Sequence, residues 1–144
     1  MRKLATDHAG LEILHLGDCF RLLESAPVGR IGFLSRGEVV ILPVNFLLDG
    51  QDVVFRTGTG SKLGSAEIGH YVGFEVDAYD SAAHTGWSVV VTGLAEVVES
   101  DAECARLDAL GLRSWGEQDA DRCWVRIRPA SISGRRIAEA GVDN

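Results

Sequence analysis

The chain has 144 residues, enough for one domain with a real core. Its formal net charge of −7 excludes broad binding to nucleic acid or anionic membranes, because nothing in it would neutralise a phosphate backbone. No apolar run is long enough to span a bilayer, Met1-Arg2-Lys3 leads into no apolar signal core, and a cytoplasmic location is expected.

Residues 1–15 are weakly patterned and read as an N-terminal arm or a first short strand. Asp18 is placed to cap a helix through Cys19, Phe20, Leu22 and Leu23, which stops before Pro27. Val28 to Ser35 then reads as a strand, and Arg36-Gly37 as a tight turn. Glu38 to Leu48 is a long apolar run broken by Pro43 and Asn45. Pro43 has no N–H for a ladder, so it belongs on an edge or at a bulge. Asp49-Gly50 signals a hairpin into the strand Gln51 to Thr57. The connections are too short for crossovers, so these three strands are expected to form an antiparallel meander.

The stretch Thr57-Gly-Thr-Gly-Ser-Lys62 ends that strand and opens a helical pattern from Ser61 to Gly69. Glycines allow close backbone approach, free N–H groups cluster at a helix start, and the helix dipole favours an anion there. Ser61 and Thr59 add hydroxyls and Lys62 a mobile charge. The stretch is read as a phosphate-binding corner or, on local grounds equally, as a solvated turn capped by Ser61. Its spacing fits neither a P-loop nor a dinucleotide fingerprint.

Tyr71 to Tyr79 alternates Val72, Phe74 and Val76 against Gly73, Glu75 and Asp77, the pattern of a half-buried strand. Glu75 and Asp77 read as solvated or salt-bridged. Gly86 to Val98 is the longest strand, and Gly93 marks a bend or bulge in it. Ser100 or Asp101 caps a helix through Leu107 to Leu110. Arg122 to Pro129 is a last strand, and Ser131 to Asn144 a loosely held tail, the domain itself being drawn as residues 16–137 with a tail at 138–144. Six strands, short helices and tight turns indicate a small β-barrel with helices at its ends.

No Ser/His/Asp set, carboxylate pair or metal spacing stands out. His70 and His84 are unaccompanied by ligand residues. Cys19, Cys104 and Cys123 form no C-x-x-C pair and read as reduced thiols. Chemistry, if any, is expected from a bound cofactor. The Thr57 to Lys62 corner, the aromatic plane and hydroxyl of Trp87-Ser88, and the interruption Pro43-Val44-Asn45 supply what a planar, phosphorylated ligand requires: charge, an apolar wall and edge donors.

Several ordered pieces together give a family resemblance. They are Val28-Gly-Arg-Ile-Gly-Phe33, Leu42-Pro-Val-Asn-Phe46, Val54-Phe-Arg-Thr-Gly-Thr-Gly-Ser-Lys-Leu63, Val72-Gly-Phe-Glu-Val-Asp77 and Gly86-Trp-Ser-Val-Val-Val-Thr-Gly-Leu-Ala-Glu96. From about Cys19 to Arg136 the chain resembles the pyridoxamine 5′-phosphate oxidase-like flavoproteins, and within them the short branch with nitroimidazole-reductase-like members.

The resemblance implies a mainly β fold, a six-stranded antiparallel split β-barrel with short flanking helices, working as a homodimer with FMN at the subunit interface. By that match Arg56 and Thr57 lie near the flavin, and Ser61 and Lys62 hold its phosphate. Pro43, Val44 and Asn45 run along the ring, and Ser88 beside Trp87 contacts the cofactor. Trp115 or Arg126 of the partner would complete the site. The substrate-binding arginine and histidine motif of the true oxidases has no match, and Arg56 replaces a histidine common in the nitroimidazole-reductase branch. The implied activity is an FMN-dependent oxidoreductase acting on a small molecule. The alternatives are a flavin- or deazaflavin-binding protein without turnover and a dimer with an empty site. An acidic chain with few basic groups near the corner suits one phosphate better than a polyglutamyl deazaflavin tail.

Overall fold

The computed structural model describes residues 4–58, 70–112 and 122–138. Among them the fold is one curled antiparallel sheet, an open half barrel, with two helices. The strands are β1 (Glu12–Ile13), β2 (Val28–Ser35), β3 (Glu38–Asn45), β4 (Leu47–Asp49), β5 (Asp52–Gly58), β6 (Tyr71–Asp80), β7 (Thr85–Val97) and β8 (Arg122–Arg136). The helices are α1 (Leu16–Ser25) and α2 (Asp101–Asp108). The sheet order is β3-β2-β6-β7-β8-β5-β4, with β1 added alongside β8.

The expected meander forms only in halves. β2 pairs with β3 and β4 pairs with β5, but β3 and β4 sit at opposite termini of the sheet order. The apolar run 38–48 breaks at Phe46, between β3 and β4, and not at Pro43. Phe46 leaves the ladder and drives its ring edge-on against Phe74, 4.9 Å between centroids, in the barrel interior. One continuous run of chain therefore supplies both margins of the curled sheet. Pro43 lies in β3, a sheet-edge strand where its missing N–H costs no ladder bond.

β5 and the first half of β8 are covered on both faces. Val53 and Phe55 point into the main core, which also holds Ile31, Phe74, Val89 and Val91. Val54 points outward into a smaller cluster with Leu107 and Trp124, under α2. This explains why three consecutive residues, Val53 to Phe55, are all fully buried. α1 closes the inner side with Cys19 and Leu23.

Three further expectations are corrected. α1 starts at Leu16, with His15 at the N-cap making no side-chain cap, so Asp18 sits within the first turn. The last strand does not stop at Pro129. β8 runs on to Arg136, because a register shift at Thr92/Gly93 places Pro129 opposite Gly93 and Ser131 opposite Thr92. Gly93 makes this possible: a Cβ there would lie 2.1 Å from the Arg128 carbonyl oxygen. Residues 131–136 are thus paired strand, with β1 and the arm strapped over them through Leu14 N to Gly134 O, 3.0 Å. Ser100 caps α2 as expected, its hydroxyl accepting from Glu103 N.

Candidate functional site

The end of β5 is the first part of the site. Side chains alternate along a strand, so Thr57 faces the barrel interior, where it is buried, while Arg56 faces the outer cluster. Arg56 donates from Nη2 to the Leu112 carbonyl at 2.8 Å, and its guanidinium carbon lies 5.3 Å from the Trp124 ring centroid. Trp124 is fixed by its own donation from Nε1 to Asp108 Oδ1, 2.7 Å. Arg56 Nε is buried and, among the described residues, has no hydrogen-bond partner. A buried cationic donor without an acceptor is costly unless something else supplies one. The next residues, Ser61 and Lys62 included, lie outside the described residues, as does Trp115.

Pro43, Val44 and Asn45 occupy the end of β3 nearest the break at Phe46. Pro43 is on the outer face opposite Arg30, and Val44 packs inward on the core. Asn45 donates from Nδ2 to the Pro27 carbonyl at 3.3 Å. It also lines a cavity of about 580 Å³ between α1 and β4, walled by Leu23, Phe46, Leu47 and Leu48 and reaching Leu112. Arg56 and Asn45 thus border the same region, through Leu112.

Trp87 and Ser88 sit elsewhere on the sheet. Trp87 is turned inward against the core, and Ser88 outward, paired with Asp77 and Arg135. Ser88 pairs with Arg135 and Arg56 with Trp124, so the two contacts fall toward opposite ends of β8. A smaller cavity of about 200 Å³ lies at this end, lined by Trp87, Ser88, Tyr79 and Arg135.

Arg126 is buried and paired within its own chain. Its Nη1 holds Asp52 at 2.9 Å, and its Nη2 holds Asp49 at 2.8 Å and Glu103 at 3.1 Å, all in its own chain. Alternation marks Arg126 as polar-facing without showing that α2 covers that face.

The salt-bridged reading of Glu75 and Asp77 holds on the outer face of β2 and β6, and what sequence reasoning did not name is their partner, Arg30. Arg30 Nη1 lies 3.5 Å from Glu75 and 3.3 Å from Asp77. Burial first, and then the Asp77 carboxylate bonded to it, push Glu75 up to about 7 against the opposing pull of Arg30. The alternation that placed Glu75 and Asp77 on one face was the available signal. Among the described residues no group of His, Cys, Asp or Glu could hold a metal ion.

The pyridoxamine 5′-phosphate oxidase family model matches residues 16–136. The chain belongs to that family. An uncharacterized protein of Mycobacterium tuberculosis is 36% identical over 140 residues, covering 92% of this chain and 91% of its own. A structure named as the FAD binding protein from Mycobacterium smegmatis is 38% identical, with a TM-score of 0.75, covering 87% of this chain and 98% of that one. A Corynebacterium glutamicum structure, described as a candidate pyridoxamine 5′-phosphate oxidase, is 35% identical with a TM-score of 0.79, over 88% of this chain and 98% of that one.

Proposed function

We propose that the protein is a flavin-dependent oxidoreductase acting on a small molecule, with FMN as its cofactor and a homodimer as its working form. The observation that carries this reading is the end of β5. There a buried Arg56 Nε without a hydrogen-bond partner among the described residues, and Gly58, where an added Cβ would meet nothing within 4 Å, lead directly into Thr59-Gly-Ser-Lys62. That is a donor set suited to one phosphoryl group. The Mycobacterium smegmatis relative, named for FAD binding, supports a flavin as the ligand.

In this reading Ser61 and Lys62 hold the phosphate, and Arg56 adds positive field from behind it. Thr57 and the edge strand Pro43 to Asn45 lie along the ring. The cavity beside Asn45 has the size and the mainly apolar lining of a ligand pocket. Bound flavin would supply hydride transfer, while these residues position it and exclude water. Trp87 and Ser88 lie toward the far end of β8 from Arg56, which favours a site they share with the corner across two chains. No described helix is long and apolar enough to cross a membrane, and we place the protein in the cytoplasm.

The relative's name favours FAD as a second reading. Mass analysis of the cofactor released on denaturation distinguishes FMN, FAD and deazaflavin. Bleaching of bound flavin by NADH or NADPH distinguishes an oxidoreductase from a binding or storage protein. FMN release with pyridine-nucleotide reduction supports the proposal, and a preparation that takes up no flavin refutes it.

A further inference from the structure

The two margins of the curled sheet are joined where the chain passes from β3 through Phe46 to β4. The cavity of about 580 Å³ lies at this crossing, against the C-terminal end of α1. Its apolar wall is Leu23 and Ala26 from that end of α1, Leu47 and Leu48 from β4, and Leu112. Among the described residues that line it, one carries a charge: Glu24, in the last turn of α1 and exposed. That turn holds no basic residue, and the arginine further up α1, Arg21, is paired with Asp18.

The polar features of this lining favour a cation over an anion. The last carbonyls of a helix carry partial negative charge, and α1 ends on the cavity. Glu24 adds a full negative charge there. The two neutral polar neighbours turn donors toward the protein: Ser25 Oγ donates to the Leu22 carbonyl at 2.7 Å, and Asn45 Nδ2 to the Pro27 carbonyl at 3.3 Å. Arg56 does not offset this, because its guanidinium lies on Trp124 and only its acceptor, Leu112, reaches the cavity wall. The volume falls within the range of small-molecule sites. An apolar body with one positive end is the shape and charge that these walls match.

We propose that the substrate is a protonated amine with an apolar body, its ammonium group at Glu24 and the end of α1, its body on Leu47, Leu48 and Leu112. This rests on the flavin reading, in which Pro43 to Asn45 run along the ring and the cavity beside Asn45 opens onto it. The site then sorts charge by position. The corner after β5 takes the cofactor's phosphate, and the end of α1 takes the substrate's cation. A phosphorylated or carboxylated substrate is disfavoured by the same charges. Because Glu24 is exposed, its attraction is screened and sets preference more than strength. Burial of the apolar body supplies the strength.

Equilibrium dialysis of the full-length protein against 2-naphthylmethylamine, 2-naphthylmethanol and 2-naphthoate tests this at about pH 7.5, where the first is a cation and the last an anion. The amine is expected to bind at least about five-fold more tightly than the acid, with the alcohol between them. Glu24→Lys should reverse that order. Ala26→Phe, which fills the cavity, should weaken all three. Should Ala26→Phe fail to fold, the exposed Glu24 still decides the matter. An acid bound as tightly as the amine, a Glu24→Lys protein that keeps the original order, or a folded Ala26→Phe protein that binds all three unchanged each overturns the proposal. Flavin absorbance is read in the same samples. A protein that takes up flavin but does not prefer the amine sinks this inference alone. One that prefers the amine but takes up no flavin sinks the flavin reading alone.

Discussion

Arg126 of β8 reaches Asp49 at the tip of the β4–β5 hairpin, 2.8 Å from nitrogen to oxygen, and Arg106 of α2 grips the same carboxylate at 2.6 Å. This one shared acid ties three elements together. With Asp52 and Glu103 it forms a network in which every charge has an opposite neighbour. Its effect is to hold α2 over Val54 and Trp124, and so to fix the floor on which Arg56 lies.

Removing Arg126, the one buried cation of the network, should leave the part-buried Asp52 without its cation and Asp49 with Arg106 alone. For Arg126→Met a loss of roughly 1–2 kcal/mol is expected from chemical denaturation. The pH dependence follows from the direction of the shift. Hydrogen bonding from Arg106, and then from Arg126, lowers Asp49 to about 2 against the opposing effect of burial. A carboxyl depressed on folding contributes stability above its unfolded value, and the contribution fades as pH falls toward 2. Asp49→Asn should be less stable than the wild type at neutral pH, with the gap closing in acid.

Gly93 allows a testable claim about the bulge. A Cβ at that position meets the Arg128 carbonyl oxygen at 2.1 Å, and this is backbone that cannot swing aside. Gly93→Ala should cost roughly 1–3 kcal/mol. Gly73→Ala, where nothing lies within 4 Å of the added atom, should cost far less. Equal losses in thermal or denaturant unfolding would contradict the bulge argument.

The thiols should separate by burial. Cys19 is almost wholly buried between α1 and β8, and desolvation raises its affinity for the proton. It should react with an aromatic disulfide reagent only as fast as the protein unfolds. Cys104 and Cys123 are partly exposed and should react first.

Much of this was legible in the sequence, and the exceptions have physical causes. Strict alternation in Val72 to Asp77 located β6 and its faces, because half-buried strands must alternate. Asp49-Gly50 gave the hairpin, and Gly93 the bulge. Pairing order was not legible: a short connection at Phe46 looks like a continuing meander, whereas Phe46 turns its ring inward against Phe74 and the chain beyond it pairs at the opposite sheet margin. The strand beyond Pro129 was missed because a proline usually ends a ladder, and here it falls opposite the bulge. Of the site, Arg56 and Asn45 prove to border one region through Leu112, while the distance of Trp87 and Ser88 along β8 depends on a register that no local pattern encodes.

At the corner itself, Lys62→Ala and Ser61→Ala should each weaken FMN binding. Loss of a charged hydrogen bond of about 1.5–3 kcal/mol corresponds to a dissociation constant raised roughly 10- to 100-fold. Arg56→Ala should weaken it as well, and should also destabilise the fold by about 1–2 kcal/mol, since the Leu112 bond and the Trp124 contact go with it. Fluorescence titration with FMN, paired with thermal unfolding, separates the two effects. A Lys62→Ala protein that binds FMN as tightly as the wild type would place the phosphate elsewhere.

The most direct measurement is the visible absorption spectrum of the purified protein, taken before and after adding FMN. A yellow protein, or a colourless one that acquires shifted flavin bands retained through gel filtration, is the expected result. A colourless protein whose added FMN keeps the spectrum of free flavin and separates from it on the column would contradict the proposal that the corner after β5 holds a flavin phosphate.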